Sequence, residues 1–301
     1  MKKILITGSK GFIGSHAIKY FTAFGNTVYS CDIGDQINQT NYFSIDVNQP
    51  DYEQIFAATD FDLILHCAGT GSVAYSFQHP EEDYLRNTES CLHLLQAMRQ
   101  RKSKAKLIYL SSAAVYGNPA SLPVTENSLT NPLSPYGKHK LMAEQLCREY
   151  GELYNQKICV VRIFSAYGEG LKKQLLWDIY QKFRENKNKI TLFGSGNETR
   201  DFVHIDDVML ALSIIAESNQ TKFEIYNIAS GIETKIKAVA ETLLNELNFK
   251  GELFFNGATK AGDPTNWKAD LSKMNDLGFA PKISLNQGIK RYTSWLKELE
   301  Y

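Results

Sequence analysis

A tyrosine and a lysine four residues apart, Tyr136 and Lys140 in the run Tyr-Gly-Lys-His-Lys, are the first residues of this 301-residue chain whose spacing could do chemistry. On a helix that spacing puts a phenol and an ammonium on one face. A positive charge beside a phenol stabilises the phenolate, which brings the tyrosine pKa down toward neutrality and makes Tyr136 a candidate general acid or base. An oxidised nicotinamide nearby would add to the effect. By itself such a pair is also what an ordinary solvated helix face carries. Ser112 closes an extended run at Ser111-Ser112, at the edge where parallel-sheet proteins build their sites, and its hydroxyl can hydrogen-bond a substrate hydroxyl.

A second constellation lies at the start of the chain. Residues 7–15 read Thr-Gly-Ser-Lys-Gly-Phe-Ile-Gly-Ser, with glycines at Gly8, Gly11 and Gly14 between a short apolar run and an amphipathic stretch. Glycines there permit a tight turn and close approach of backbone to a pyrophosphate, while the N–H groups at the helix start, around Phe12 and Ile13, meet the phosphate charge. The spacing departs by one residue from the GxGxxG fingerprint. Asp32 ends the next extended run, where an acidic side chain can bind the adenosine ribose diol. The residues after it, Ile33-Gly34-Asp35-Gln36, include no Arg for a 2′-phosphate, so the expected cofactor is NAD rather than NADP. Asp46-Val47 is placed to meet the adenine, and Cys67-Ala68-Gly69 to line the pyrophosphate; each alone would be a routine strand terminus.

The elements that must position these residues alternate. Extended runs at 3–7, 27–32, 42–46, 63–67, 107–111 and 158–163 are separated by helical spacing at 51–58, 81–101 and 135–154. This rhythm predicts an α/β fold, a doubly wound parallel sheet of the Rossmann type. After about 165 the rhythm breaks: 171–186 and 205–217 read as helices, 190–193 and 223–228 as extended. The expected division is a cofactor-binding domain over 1–165, with a returning strand near 223–228, and a smaller mixed substrate-binding region over 166–301.

Composition narrows the functions. Lys+Arg and Asp+Glu both number 33, so no net positive field draws the chain to nucleic acid or an anionic membrane. No apolar run approaches membrane-spanning or signal-peptide length. Five scattered cysteines without a CxxC pair read as free thiols in a reducing compartment, the cytoplasm. The six histidines show no ligand spacing, so no metal site is expected. Asp206-Asp207 reads as helix-capping charge, His66 as a core residue, His204 as a loop-orienting one, and Trp177 and Phe183 as core anchors or a contact between subunits.

Taken together, the motifs resemble the extended short-chain dehydrogenase/reductase family, the nucleotide-sugar epimerases and dehydratases. The resemblance runs through TGSKGFIGS at 7–15, HCAG at 66–69, SSAAVYG at 111–117, SPYGKHK at 134–140, RIFSAYGEG at 162–170 and RDFVHIDDV at 200–208. It implies that Tyr136, Lys140 and Ser112 are catalytic and that Asn87 lies near the cofactor. It also implies that Ser165, Arg200, Lys260 and Asp263 surround the nucleotide diphosphate or ribose, and that Thr191, Leu192 and Phe193 flank the base. Departures qualify it. Ala113-Ala114 stand where sugar dehydratases carry an acidic pair, Ser165 replaces an Asn, Lys260 replaces an Arg, and Asn87-Thr-Glu-Ser lacks the usual Gly, which predicts a local change near the cofactor.

The implied activity is NAD-dependent epimerisation of a nucleotide-diphosphate sugar at C4. Tyr136 would remove the 4-hydroxyl proton while hydride passes from C4 to the nicotinamide, and the 4-keto sugar would turn and take the hydride back on its other face. A 4-keto-sugar nucleotide reductase and a non-catalytic NAD-binding sensor are the alternatives. A homodimer is the expected assembly.

Overall fold

The computed structural model describes residues 1–34, 41–47, 49–219 and 223–299. Among them the strands are β1 (Lys3–Thr7), β2 (Thr27–Asp32), β3 (Tyr42–Ser44), β4 (Leu63–His66), β5 (Lys106–Ser112), β6 (Ile158–Ile163), β7 (Ser165–Tyr167), β8 (Lys189–Leu192), β9 (Thr199–His204), β10 (Glu224–Ile228), β11 (Glu233–Lys235) and β12 (Glu252–Phe255). The helices are α1 (Phe12–Ala23), α2 (Glu53–Ala58), α3 (Val73–Gln78), α4 (Pro80–Tyr84), α5 (Ser90–Gln100), α6 (Pro135–Leu153), α7 (Gln174–Glu185), α8 (Ile205–Glu217), α9 (Ile236–Glu246), α10 (Ser272–Asp276) and α11 (Leu285–Glu298).

One seven-stranded sheet runs β10-β6-β5-β4-β1-β2-β3, and every neighbouring pair in it is parallel. The order reverses between β1 and β4, the crevice where open α/β sheets hold ligands. Both faces are covered. Ile4 and Ile6 pack with α1 and α8 on one side, while Leu5 and Ile64 pack with α2, α5 and α6 on the other. Burial on both faces explains why these strands read as continuous apolar runs. A third core joins α7, α9, α11 and β8; Trp177 meets Tyr180 and Trp295 there at tilted ring angles and Phe183 meets Phe249 edge-on, so both anchor α7 to this core. Two small sheets, β11-β9-β7 and β12-β8, complete this part. Among the described residues no helix is long and apolar enough to cross a membrane.

The stretch expected as one helix over 81–101 is a helix with a change of pitch. A π-helical turn at Leu85–Glu89 joins α4 to α5, at the place where the usual Gly is missing. Within it Asn87 and Thr88 are both buried.

α6 begins on a strong start signal: the Ser134 hydroxyl accepts the Gly137 N–H at 3.1 Å, and Pro135 occupies the first turn. Its buried stripe, Gly137, Lys140, Ala143, Glu144, Cys147 and Tyr150, has helical spacing but contains two charged residues. The Glu144 carboxylate is met by Arg162 of β6 through Nε at 3.0 Å and Nη2 at 2.7 Å, and by the Ser111 hydroxyl of β5 at 2.5 Å. The remaining Arg162 nitrogen donates to the Glu126 carbonyl at 3.0 Å. These bonds pin α6 to the two strands beneath it. Truncating Glu144→Ala strands a buried guanidinium, so chemical denaturation is expected to show a loss of about 3–5 kcal/mol.

Candidate active site

The glycine turn is built by exclusion. A Cβ on Gly14 would lie 2.2 Å from the Gly8 carbonyl oxygen, so only glycine lets α1 approach β1 this closely. Gly11 caps α1 without a side-chain hydrogen bond, which leaves the first N–H groups of the helix, at Phe12 and Ile13, for an anion. Phe12 and Ile13 themselves pack their side chains toward the core. In front of the turn opens a cleft of about 390 Å³. Gly8, Gly11, Asp32 and Ile33 line one end and Val47, Cys67, Ala68 and Gly69 continue it. Asp46 stands exposed between Ile45 and Val47, which do line the cleft.

The Asp32 carboxylate accepts the backbone N–H groups of Lys10 at 2.6 Å and Ile33 at 2.8 Å, which turns it into the cleft with lone pairs to spare. A cation does stand near Asp32: the Lys10 ammonium donates to the Ile33 and Gly34 carbonyls at 2.8 and 3.1 Å and lies over the Tyr42 ring. It was legible in the sequence, inside the glycine turn rather than after Asp32. Asp35 and Gln36 lie outside the described residues. Arg86 and Ser90, also unremarked in the sequence, line the same cleft.

The catalytic candidates converge at the carboxyl edge of the sheet. Ser112 is the last residue of β5, and its hydroxyl accepts the Ala114 N–H at 3.2 Å. Tyr136 lies in the first turn of α6. The next residue must be glycine, because a Cβ on Gly137 would come within 2.7 Å of the Ala114 carbonyl oxygen, and this contact brings the tyrosine down against the end of β5. Burial pushes the Tyr136 phenol up to about 12; the Ser112 hydroxyl pulls it down and the Asp83 charge adds to the rise. Lys140 is buried, donates to the Leu110 carbonyl at 2.8 Å, and lies 4.9 Å from the Tyr109 ring centroid. Burial brings its ammonium down to about 8. The expected lowering of Tyr136 by Lys140 is therefore not what this structure shows: desolvation dominates, and the ammonium is engaged by a carbonyl of β5.

A second group of residues meets in the later half of the chain. Lys260 lies 4.5 Å from the centroid of the exposed Phe193 ring, and its carbonyl accepts the Asp263 N–H at 3.2 Å. Arg200 donates to the carbonyls of Thr199 and Thr265, faces Trp267 and senses the Asp263 charge. A Cβ on Gly262 would stand 3.1 Å from Cβ of Ser134, the cap of α6, so this turn abuts the tyrosine-bearing helix. Thr191 is exposed, but Leu192 is buried in the third core, so its side chain is not available to a ligand. Ser165 opens β7, half-buried.

The remaining polar candidates are structural. Asp207 accepts the Lys282 and Ile283 N–H groups, Asp206 pairs with Arg291, and His204 caps α8 while contacting Glu169. His66 is buried against Tyr109 with Nδ1 at 2.8 Å from the Thr7 hydroxyl, and burial lowers it to about 3.

The parallel sheet, the glycine turn at its switch point and an acidic residue ending β2 define a dinucleotide-binding α/β enzyme, and the shape of the turn, which a Cβ would fill, fits such a cofactor. The family model described as the NAD dependent epimerase/dehydratase family matches residues 4–229, and the chain belongs to that family. A putative UDP-glucose 4-epimerase of Methanocaldococcus jannaschii is 32% identical, with 98% of each chain covered. A UDP-glucuronate 4-epimerase of Thermodesulfobacterium geofontis is 30% identical over 98% of this chain and 96% of its own. A solved UDP-glucuronic acid 4-epimerase from Bacillus cereus, in complex with UDP-glucuronic acid and NAD, is 27% identical, covers 99% of both chains and superposes with a TM-score of 0.88.

A carboxylate that accepts from a neutral diol repels a phosphate in the same place, so NAD is expected to bind at least ~10-fold more tightly than NADP, equivalent to about 1.4 kcal/mol. Asp32→Ala should erode that ratio, and Lys10→Ala should widen it by removing the nearby cation. Calorimetry with both nucleotides at fixed salt checks the three proteins together.

Proposed function

We propose that this protein interconverts UDP-sugars that differ in configuration at C4, with NAD held through the reaction. The observation that supports the reading is the set Ser112, at the carboxyl end of β5, with Tyr136 and Lys140 on the α6 turn packed against it, and Ala113-Ala114 where a dehydrating acid would have to stand. The names of the relatives support the same substrate class.

In this reading residues 1–165, with the strand from 223–228, hold the cofactor and 166–301 supply the nucleotide-sugar contacts. Gly8, Gly11, Gly14 and the N–H groups of Phe12 and Ile13 cradle the pyrophosphate; Asp32 and Ile33 hold the adenosine ribose; Asp46 and Val47 flank the adenine. Cys67, Ala68 and Gly69 line the pyrophosphate from the end of β4, and Asn87 lies near the cofactor. NAD, when bound, supplies the redox step by accepting a hydride from the sugar and returning it. Tyr136 removes the proton of the 4-hydroxyl and later gives one back, Ser112 holds that hydroxyl within its reach and hydrogen-bonds the phenol, and Lys140 holds the nicotinamide ribose. Phe193 and Thr191 offer a platform for the base, with the Leu192 backbone between them. Arg200 and Lys260 neutralise the diphosphate, Asp263 takes ribose hydroxyls, and Ser165 faces the sugar. Lys260 acts as a point charge rather than a bidentate grip.

Tyr84, Leu92, Met142 and Leu153 are exposed on α4, α5 and α6, and this apolar surface supports a homodimer. All five cysteines are free thiols, in keeping with the cytoplasm, where such an enzyme would supply sugars for polysaccharide synthesis.

Incubation with UDP-, dTDP-, GDP- and CDP-sugars tests the reading. Turnover of a UDP-sugar to its C4 epimer without consumption of NADH is expected; stoichiometric NADH consumption would establish the 4-keto-sugar reductase instead. Tyr136→Phe should lower kcat more than tenfold, at least ~1.4 kcal/mol in barrier, with NAD affinity nearly unchanged. Lys140→Met should weaken NAD binding as well as turnover, which calorimetry on the same variant reads directly.

A further inference from the structure

Beside the proposed catalytic residues lies a buried network that no motif announced. The Asp83 carboxylate, at the end of α4, is fully buried. Its hydrogen-bond partner on α6 is His139, with Nδ1 at 2.6 Å from Oδ2; His139 immediately precedes Lys140 and lies one turn beyond Tyr136. The other carboxylate oxygen accepts the hydroxyl of Thr70. Thr70 in turn accepts from Asn87 Nδ2 at 2.8 Å, and the same nitrogen donates to the Asp83 carbonyl at 3.1 Å. The Thr88 hydroxyl closes the group by donating to the His139 carbonyl at 2.9 Å.

The directions of these bonds follow from one charge. An ionised carboxylate only accepts, so His139 Nδ1 and the Thr70 hydroxyl must both donate to it. Thr70 has a single proton, already committed, and can therefore only accept from Asn87. That obliges Asn87 to give its amide nitrogen to Thr70 and to turn its carbonyl oxygen the other way. Oδ1 is indeed buried without a partner, and it lies 2.4 Å from where a Cβ on Gly69 would stand, at the lining of the cofactor cleft. A buried acceptor in that state is stabilised by whatever donor arrives.

We infer that Asp83 and His139 are positioning residues of this site: they clamp the helix bearing Tyr136 and Lys140 to Thr70 and hold the Asn87 carbonyl oxygen toward a hydroxyl or amide donor of the bound cofactor. The inference deepens the function proposed above and rests on it only where Tyr136 is the acid–base group. The clamp has an electrostatic side as well. Asp83 faces Tyr136, His139 and Lys140 on α6 and Tyr75 on α3, while Glu82 and Arg86, on its own segment, pair with each other. Its negative charge raises the proton affinity of both Tyr136 and Lys140.

The test uses the purified full chain freed of bound nucleotide, with calorimetry for NAD and for UDP and a pH profile of epimerisation. Thr70→Val breaks the relay without changing charge and should weaken NAD binding at least about fivefold, the scale of one lost hydrogen bond to a buried acceptor, while Thr70→Ser restores it. Asp83→Asn should weaken NAD similarly and also move the acidic limb of the kcat profile to lower pH, because the phenol loses a neighbouring anion; Thr70→Val should leave that limb in place. UDP affinity should stay within about twofold throughout. If Asp83→Asn fails to fold, the Thr70→Val and Thr70→Ser pair decides. NAD affinities of Thr70→Val and Asp83→Asn both within about twofold of wild type overturn the inference. A wild-type protein that binds NAD but epimerises no sugar overturns the proposed function and leaves the NAD result to judge the clamp.

Discussion

The middle of α6 is fixed on the sheet by a buried ion pair, Glu144 with Arg162. A helix held only by apolar contacts can slide or rotate by a fraction of a turn at small cost, since leucine-like surfaces are non-directional. The fork of Arg162 on a carboxylate is not: it is planar and bidentate, and it fixes where along β6 the middle of α6 must sit. One turn earlier on the same stripe is Lys140, and one turn before that Tyr136, so the register set at Glu144 is inherited by both. Charges in a buried stripe are costly, and their presence there is explained by geometry rather than by stability.

At the other end of the cleft the constraint is steric. β1, Gly8 and α1 approach so closely that backbone atoms occupy the space a side chain would take. The two constraints share the sheet as a common reference. One fixes a helix relative to β5 and β6, the other a helix relative to β1.

Much of this could be read from the residues. β1 to β6 are short, apolar and separated by helical spacing; Ser134-Pro135 marks the start of α6; glycines at 8, 11 and 14 mark the turn. What could not be read has identifiable causes. The π-helical turn at Leu85–Glu89 changes the helical repeat over a single turn, too little to disturb the apolar spacing of 81–101. β7 and β11 have three residues each, too few for any periodicity. Asp83 and His139 are 56 positions apart, and their pairing is a product of topology alone. Lys10 was in plain view, but a residue between two glycines is read as part of the turn and not as a neighbour of Asp32, 22 positions on. The proton affinity of Tyr136 needed the depth of its burial, which spacing does not contain.

The seventh strand carries a further consequence. β10 pairs with β6 through Glu224–Ile228, so the edge of the central sheet is completed only after the chain has passed through β7, β8, β9 and α8. Until then β6 has an open flank of unpaired backbone groups, the kind of surface that other chains can template on. The cofactor half cannot be separated from the rest by a cut after β6 without exposing that flank. Synthesis of the ribosome-bound chain therefore leaves the central sheet unfinished until β7, β8, β9 and α8 have emerged, and the two halves of the molecule mature together or not at all.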